Sequence, residues 1–222
     1  MQSYYAVYHC VLAYAIASGQ AVPREHAPAL KLIGKDVDRG LLPYPWNVSC
    51  AGCPQLRTHS WSGLGDVSSV HVWSRPDPDT TDDRLAMFLR TTRQKELERR
   101  FSQARERQRP RAGRTRANLP RAEKERLAGS MTPTTLFDVL WRLRKTANYD
   151  DADVFVLGAM TQLDALRLGQ SLAIVTDATI AALEAVIAGY LGPQALADLA
   201  AGYVRRVAGG AGSTALTARA NY

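Results

Sequence analysis

Apolar residues recur at helical spacing on both sides of one long stretch, residues 42–79, in which that spacing is lost. Five prolines and three glycines interrupt this stretch and prevent any long helix or strand, and only residues 68–73 alternate as a strand does. The pattern predicts an all-α chain: one domain over residues 1–222, built as a bundle of five to six helices with an irregular insertion at residues 43–81.

Glycines, prolines and capping residues mark the ends of the predicted helices. The first, over residues 4–18, is apolar on nearly every face, and such a helix belongs in the middle of a bundle. Thr132 and Pro133 form a start signal, as N-cap and first helical residue. The other predicted helices cover residues 25–35, a run from 82 into an arginine cluster, a run from a turn at 148–151 past Leu166, a run from about 177 to 191, and residues 194–207. The glycine-rich residues 209–222 predict a flexible tail.

The cysteine content and the lack of targeting segments indicate in which compartment the protein works. Three cysteines are an odd and low number for a secreted disulfide scaffold, which favours a reducing environment. The first residues lack the pattern of a signal peptide. No stretch reaches the roughly 18 uninterrupted apolar residues of a membrane helix, because even residues 178–191 include Glu184. We therefore expect a cytoplasmic protein without a membrane partner.

The positive charge is concentrated in one segment. The net charge is +7, but residues 84–126 contain thirteen arginines and two lysines against five glutamates, which gives +10 there. A dense arginine segment is typical of contact with phosphate backbones, and the alternative is a solvated charged linker. We predict a basic helical arm at residues 82–128. The candidate nucleic-acid ligands are Arg99, Arg100, Arg105, Arg107 and Arg109, together with Arg142 further along the chain.

Cys50 and Cys53 form a Cys-x2-Cys pair inside the insertion, with His59 and His71 downstream. Two thiolates at this spacing suit tetrahedral zinc, and a metal would order a segment rich in proline and glycine. The two histidines stand twelve residues apart, which is wider than the usual finger spacing. A structural zinc site, a redox pair and ordinary cysteines all remain open. The redox interpretation is disfavoured because Pro54 follows directly and no βαβ pattern surrounds the pair.

Two further segments carry a resemblance to a known family. Residues 142–151 read Arg-Leu-Arg-Lys-Thr-Ala-Asn-Tyr-Asp-Asp at a predicted helix end, and the first helix contains a Tyr-Tyr-Ala-x-x-His pattern that ends at His9. Both are similar to the motif regions of HEPN domains, small all-α domains, many of which also place a histidine where His26 stands. The resemblance covers about residues 1–35 and 132–192.

The resemblance implies a helical bundle that often dimerises and that acts in RNA cleavage, in toxin-antitoxin pairs or in phage defence. Nuclease members have an arginine, then four to six residues, then a histidine. The histidine moves protons near neutral pH and the arginine stabilises phosphate charge. Arg144 matches the arginine, but Asn148 or Tyr149 stands in the position of the histidine. Because tyrosine titrates near a pKa of about 10, Tyr149 does not replace histidine as a proton carrier at neutral pH.

Two hypotheses follow from the resemblance. In the first, the protein is a non-catalytic homodimer that binds RNA, a nucleotide or a partner protein through Arg142, Arg144 and Tyr149 and through the arginine arm. In the second, it is a metal-independent endoribonuclease in which Arg144 binds the phosphate and a distant histidine, His9 or His26, transfers the proton.

A third hypothesis rests on the cysteines, and structural alternatives stand beside all three. In the third, Cys50 and Cys53 hold a zinc ion that fixes the insertion of a nucleic-acid-binding protein. The structural alternatives are that Arg142 and Arg144 satisfy carbonyls at a helix end and that His9 is a hydrogen-bonded core residue.

Overall fold

A computed structural model describes residues 2–65, 80–107, 118–145 and 161–207. Helix makes up 72% of these residues, in seven helices, and the remainder includes one small three-stranded antiparallel sheet. The prediction of a mostly helical chain is confirmed, whereas the sheet was not expected. The predicted strand at 68–73, the turn at 148–151 and the tail at 209–222 lie outside the described residues.

Helices and strands follow one another along the whole described chain. The helices are α1 (Gln2–Ala17), α2 (His26–Asp38), α3 (Thr81–Arg107), α4 (Arg121–Gly129), α5 (Leu136–Lys145), α6 (Gln162–Leu191) and α7 (Pro193–Val207). The strands are β1 (Ser49–Cys53), β2 (Thr58–Ser62) and β3 (Thr134–Thr135), and a 3-10 turn, Pro54–Leu56, joins β1 to β2. The sequence predicts one domain, whereas the described residues form two compact units, the first within residues 30–161 and the second from residues 2–29 together with those after 161.

The sheet of the first unit has the order β2-β1-β3, so β1 pairs on both sides. Residues 49–62, expected to be irregular, form an antiparallel hairpin because Pro54 opens a 3-10 turn that Arg57 closes in the left-handed region at φ 58°. Gly52 has φ +74°, and a Cβ there would meet the carbonyl oxygen of Thr58. One of the prolines that suppress helical periodicity, Pro54, therefore opens the turn of a hairpin.

The core of the first unit is organised along α3. Buried residues follow one stripe of this helix at every third or fourth position: Ala86, Leu89, Arg93, Leu97 and Phe101. Near Leu89 they pack with Val48, Cys50 and Val139. Near Leu97 they pack with Cys53, Leu119 and Ala128. Arg93 thus lies between two apolar clusters of the same helix.

The start of α5 differs from the predicted start at Pro133. Thr134 and Thr135 first pair with β1, and the helix begins at Leu136. Thr135 is the N-cap: its backbone N–H (2.8 Å) and its hydroxyl (3.0 Å) both donate to Oδ2 of Asp138. A carboxylate three residues after the cap satisfies a donor that would otherwise be unpaired. Sheet pairing therefore moves the helix start by one turn.

The second unit is built on α1 and α6. Buried α1 residues, among them Val7 and Val11, pack against the second half of α6, where Leu183 and Ile187 are buried, and the ring of Tyr14 contacts the ring of Tyr190 at 6.0 Å. α1 is therefore covered along one face, while Ile16 stays 65% exposed.

α6 runs without the break that was predicted at Thr176 and Asp177. The Thr176 hydroxyl donates to the carbonyl oxygen of Leu172 at 2.6 Å, which satisfies it inside a continuous helix, so it does not cap a new one. The helix ends at Leu191, and Gly192, at φ +85°, turns the chain into α7.

One part of α6, Gly169–Leu191, is long and apolar enough to cross a membrane by length and composition. This segment contains Asp177 and Glu184, so it fails the stricter criterion of uninterrupted apolar residues that was applied to the sequence. The criterion of length and mean hydropathy tolerates two charged residues, and the segment meets it. A single helix of this kind is weak evidence, because core helices of soluble proteins also pass. The expected absence of a membrane partner stays a prediction.

Candidate functional site

The last turn of α5 places one arginine against the middle of α3. Nη1 of Arg142 donates to the hydroxyl oxygens of Thr91 at 3.1 Å and Thr92 at 3.2 Å. The Thr91 hydroxyl in turn donates to the carbonyl oxygen of Phe88 at 3.1 Å, so its hydrogen is used within α3 and its lone pair faces the guanidinium. Two neighbouring threonines thereby fix the position of Arg142 without neutralising its charge.

The charge of Arg142 is uncompensated within the described ranges. Its two hydrogen bonds go to neutral hydroxyls, and no described carboxylate pairs with it. Partial burial lowers the pKa of its guanidinium, and an arginine with this reference pKa remains protonated. A half-buried cation held by neutral groups favours binding of an anion.

Two more cations follow within one turn and lie over one aromatic ring. The guanidinium carbon of Arg144 is 4.7 Å from the ring centroid of Trp141, and Nζ of Lys145 is 6.0 Å from it. Cation-π contact of this kind orients a long side chain at modest energy. Arg142, Arg144 and Lys145 therefore all lie in the last turn of α5, Arg142 against α3 and the other two over Trp141, while Tyr149 lies outside the described residues.

A second arginine, Arg93, holds the elements that carry this end of α5. Its guanidinium donates to the carbonyl oxygens of Gly52 (2.6 Å), Thr132 (3.1 Å) and Ala128 (3.0 Å) and to the hydroxyl of Thr134 (3.3 Å). Burial lowers its pKa, and the charge is solvated by backbone carbonyls. Arg93 thus joins α3 to β1, to the end of α4 and to the strand before α5.

Asp138 completes the support of α5. Burial raises the pKa of its carboxyl to about 6, against the opposing effect of the two hydrogen bonds from Thr135. The negative charge of Glu96 raises this pKa further, and the positive charge of Arg93 lowers it. The carboxyl that caps α5 therefore titrates in a mildly acidic range.

The predicted arginine arm is partly neutralised by its own glutamates. Glu96 accepts hydrogen bonds from Arg99 (2.6 and 2.9 Å) and from Arg100 (3.1 Å), and these bonds lower the pKa of Glu96 against the effect of burial. Arg105 donates to the hydroxyl of Ser102. Arg107 is exposed in the last turn of α3, and Arg109 lies outside the described residues. Part of the arm's charge is thus offset within α3 by Glu96, and within α4 by Glu125 and Glu123, which pair with Arg121 and Arg126.

The two cysteines of the Cys-x2-Cys pair lie in different surroundings. Cys50 packs with Val48 and Leu89, and Cys53 packs with Leu97 and Phe101. Burial raises the pKa of the Cys50 thiol to about 12, against the opposing effect of two arginines, whereas zinc requires thiolate.

Among the residues that the structure describes, no other group completes a metal site with these cysteines. The described residues contain no group of three or more metal ligands, and His71 is not among them. His59 lies on β2 with its ring edge-on to Trp61 at 5.4 Å. The geometry therefore favours ordinary core cysteines over a zinc site.

The candidate histidines belong to the second unit, whereas Arg144 belongs to the first. His9 is exposed on α1, contrary to the expectation of a core residue, and its ring lies 5.8 Å from that of Tyr8. Nδ1 of His26 lies 3.0 Å from the hydroxyl of Tyr4, and the His26 ring is 4.3 Å from that of Tyr8. His26 is thus an aromatic-packed residue at the start of α2.

The supporting residues Thr91, Thr92, Arg93 and Asp138 were not singled out from the sequence. A signal for one of them existed: Arg93 stands four residues from Leu89 and four from Leu97, on the apolar stripe of α3. The two threonines carried no such signal, because their partner Arg142 is about 50 residues away in the chain. The role of Asp138 was missed because the helix was predicted to start at Pro133, which places Asp138 inside the helix and away from its N-cap.

No protein-family model matches the chain, and no curated protein or solved structure matches it. The resemblance to HEPN domains stays an expectation from the sequence segments at residues 1–35 and 132–192.

Proposed function

We propose that this chain is a HEPN-like helical protein that binds RNA without cleaving it, with Arg142 as the principal phosphate ligand. The observation that carries the proposal is the setting of Arg142, a half-buried guanidinium held by the hydroxyls of Thr91 and Thr92 and without a carboxylate among the described residues. The toxin-antitoxin or phage-defence setting is what the family resemblance implies.

Phosphate binding suits this setting for a physical reason. A guanidinium offers parallel N–H donors that match two phosphate oxygens, and fixing one of its nitrogens in advance reduces the entropy lost on binding. The Thr91 and Thr92 hydroxyls hold Nη1 and leave the net positive charge intact. Arg144 and Lys145, in the same helical turn, extend the positive charge along the end of α5.

The proposal omits cleavage because of residue types. In the motif that resembles nuclease members, Arg144 is followed by Asn148 and Tyr149 where those members have histidine, so the proton carrier is missing. The ribonuclease hypothesis, with His9 or His26 as the carrier, becomes one outcome of the binding test.

The test measures RNA affinity as a function of salt. Arg142→Gln keeps hydrogen-bonding capacity and removes the charge. We expect it to weaken binding of a mixed single-stranded RNA oligonucleotide by about tenfold and to reduce the slope of log K against log salt by about one phosphate contact. Fluorescence anisotropy of a labelled oligonucleotide gives both quantities, and circular dichroism shows whether the variant is folded.

Arg126→Gln is the matched control. Arg126 is 65% exposed and paired with Glu123 at 2.7 Å, so its charge is already offset, and its loss should change affinity little. Equal losses in the two variants would mean nonspecific attraction to net charge, and unchanged affinity in Arg142→Gln would contradict the proposal. Cleavage of the oligonucleotide that Arg144→Ala abolishes would instead support the ribonuclease hypothesis.

A further inference from the structure

Phe88 is an aromatic side chain on the surface of α3. It is 46% exposed, whereas Phe101, the other aromatic residue of this helix, is 6% exposed and belongs to the core. No other ring or cation within the described residues packs against the Phe88 ring. A single exposed apolar residue is ordinary in a folded protein, so the groups around it decide what it indicates.

Arg142 reaches the same face of α3 as Phe88. Thr91, Thr92 and Lys95 follow Phe88 by three, four and seven residues, which is the spacing of one helix face. Nη1 of Arg142 donates to the hydroxyls of Thr91 (3.1 Å) and Thr92 (3.2 Å), and the Thr91 hydroxyl donates to the carbonyl oxygen of Phe88 (3.1 Å). An aromatic ring, a fixed guanidinium and the ammonium group of Lys95 therefore follow one another along about 10 Å of helix.

Neither cation on this face is neutralised in the part of the chain that the structure describes. Arg142 donates to neutral hydroxyls, and Lys95 is exposed and forms no ion pair there. Glu98, one turn after Lys95, instead accepts a hydrogen bond from Gln94 at 2.9 Å. The face therefore presents two positive charges beside an apolar ring.

A nucleotide supplies the complement of all three groups. Its base is a flat ring that stacks on an aromatic side chain, and its phosphate pairs with guanidinium and ammonium groups. An apolar protein surface on Phe88 would instead bury Arg142 and Lys95 without a counter-charge, which is costly. We infer that Phe88 stacks against an unpaired base of the RNA whose phosphate Arg142 binds. This inference rests on the proposed function and adds a nucleobase subsite to it.

The subsite selects single-stranded RNA. In a duplex each base is stacked between its neighbours and its faces are covered, whereas unpaired bases are splayed out and stack on aromatic side chains. Stacking uses the π face that every base has, so the subsite accepts all four bases. Phe88 lies in residues 82–128, outside the two segments that resemble HEPN domains, so the resemblance does not assign it.

The test compares Phe88→Leu with the wild type by fluorescence anisotropy of a labelled single-stranded RNA. Leucine is a good helix former that removes the ring at an exposed position, so the fold is retained. We expect the affinity for the single strand to fall by about tenfold, with an unchanged slope of log K against log salt because no charge is lost. Phe88→Trp, which keeps an aromatic face, should bind like the wild type.

Two other ligands serve as matched controls. An oligonucleotide of the same length with abasic spacers keeps the phosphates and lacks the bases. The wild type and Phe88→Leu should bind it with equal affinity, whereas Arg142→Gln should still weaken its binding. The same RNA as a duplex should bind the wild type more weakly than the single strand, and Phe88→Leu should leave the duplex affinity unchanged.

Failure of the stacking subsite is distinguishable from failure of the phosphate site. If Phe88→Leu binds the single strand like the wild type while Arg142→Gln does not, the stacking inference is overturned and the proposed function stands. If Arg142→Gln also binds like the wild type, both are overturned. Wild-type binding to a polyglutamate peptide that equals its binding to the RNA, and that falls in Phe88→Leu, would overturn the inference in favour of an acidic protein partner.

Discussion

Nε of Arg93 donates a hydrogen bond of 2.6 Å to the carbonyl oxygen of Gly52, and this bond joins the middle of α3 to the central strand of the sheet. The two residues are 41 positions apart in the chain. Gly52 is in the left-handed region, so its carbonyl is directed by a conformation that other residues rarely adopt. The contact shows how the hairpin, expected to be an irregular insertion, becomes part of the core.

Replacing Arg93 with methionine should destabilise the protein strongly. The guanidinium satisfies four acceptors, and each buried acceptor left without a donor costs about 1–3 kcal/mol, so we expect a loss of more than about 3 kcal/mol. Urea unfolding followed by circular dichroism measures it. Arg121→Met is the control, because Arg121 is 70% exposed and its loss should stay within about 0.5 kcal/mol. Similar unfolding midpoints for the two variants would contradict the role assigned to Arg93.

Gly52→Ala should cost much more stability than Gly40→Ala. Both glycines have φ near +70°, so both substitutions carry the strain of a left-handed residue, about 1–2 kcal/mol. A Cβ at Gly52 would also meet the Thr58 carbonyl, whereas nothing lies within 4 Å of a Cβ at Gly40. The difference between the two variants in thermal unfolding therefore isolates the steric contact. Equal losses of stability in the two variants would show that the hairpin backbone moves to relieve the contact with the Thr58 carbonyl.

Stability should fall as the pH rises from about 4 to about 6 because of Asp138. Its pKa is raised from 3.8 to about 6, so between these values the folded state keeps a proton that the unfolded chain has lost. The contribution is complete below pH 4 and is lost as the pH passes 6, up to about 3 kcal/mol in all. Asp138→Asn, which still accepts from Thr135, should flatten this part of the curve. An unchanged pH profile in that variant would refute the assignment.

Cys50 and Cys53 should resist a thiol reagent until the protein unfolds. Both side chains are buried, burial raises the pKa of Cys50 to about 12, and only the thiolate reacts quickly. Titration with Ellman's reagent should detect at most Cys10 in the native protein and all three cysteines in guanidinium. Stoichiometric zinc that Cys50→Ser removes would show instead that the third hypothesis was right.

The helices were predicted well where local signals act alone. The predicted first helix, residues 4–18, matches Gln2–Ala17 within two residues at each end, and the start expected at Asp82 lies one residue from Thr81. Pro133 was mistaken for a helix start because Thr132 and Pro133 form a good local cap. Pairing of Thr134 and Thr135 with β1 is a long-range interaction that no local pattern reveals.

The candidate site divides in the same way. Arg142 and Arg144 were identified from residue type and position, but the sequence did not distinguish a solvated arginine from one held by Thr91 and Thr92. Arg99 and Arg100 carried the same chemical signal, and in the structure both are offset by Glu96. The surroundings of Arg142 depend on residues that are distant in the chain, whereas those of Arg99 and Arg100 depend on a glutamate on the same helix face.

The sequence by itself determined where the chain is helical and where its charge and its apolar surface are concentrated, because helical periodicity and capping act over a few residues. The tertiary structure decided which cation is neutralised, which cysteine is buried and which proline-rich stretch becomes a sheet. Some of these outcomes depend on contacts between residues about 40 positions apart, such as that of Arg93 with Gly52. Others, such as the pairing of Arg99 and Arg100 with Glu96, depend on neighbours on the same helix face, and the burial of a thiol depends on desolvation, which is a property of the packed chain.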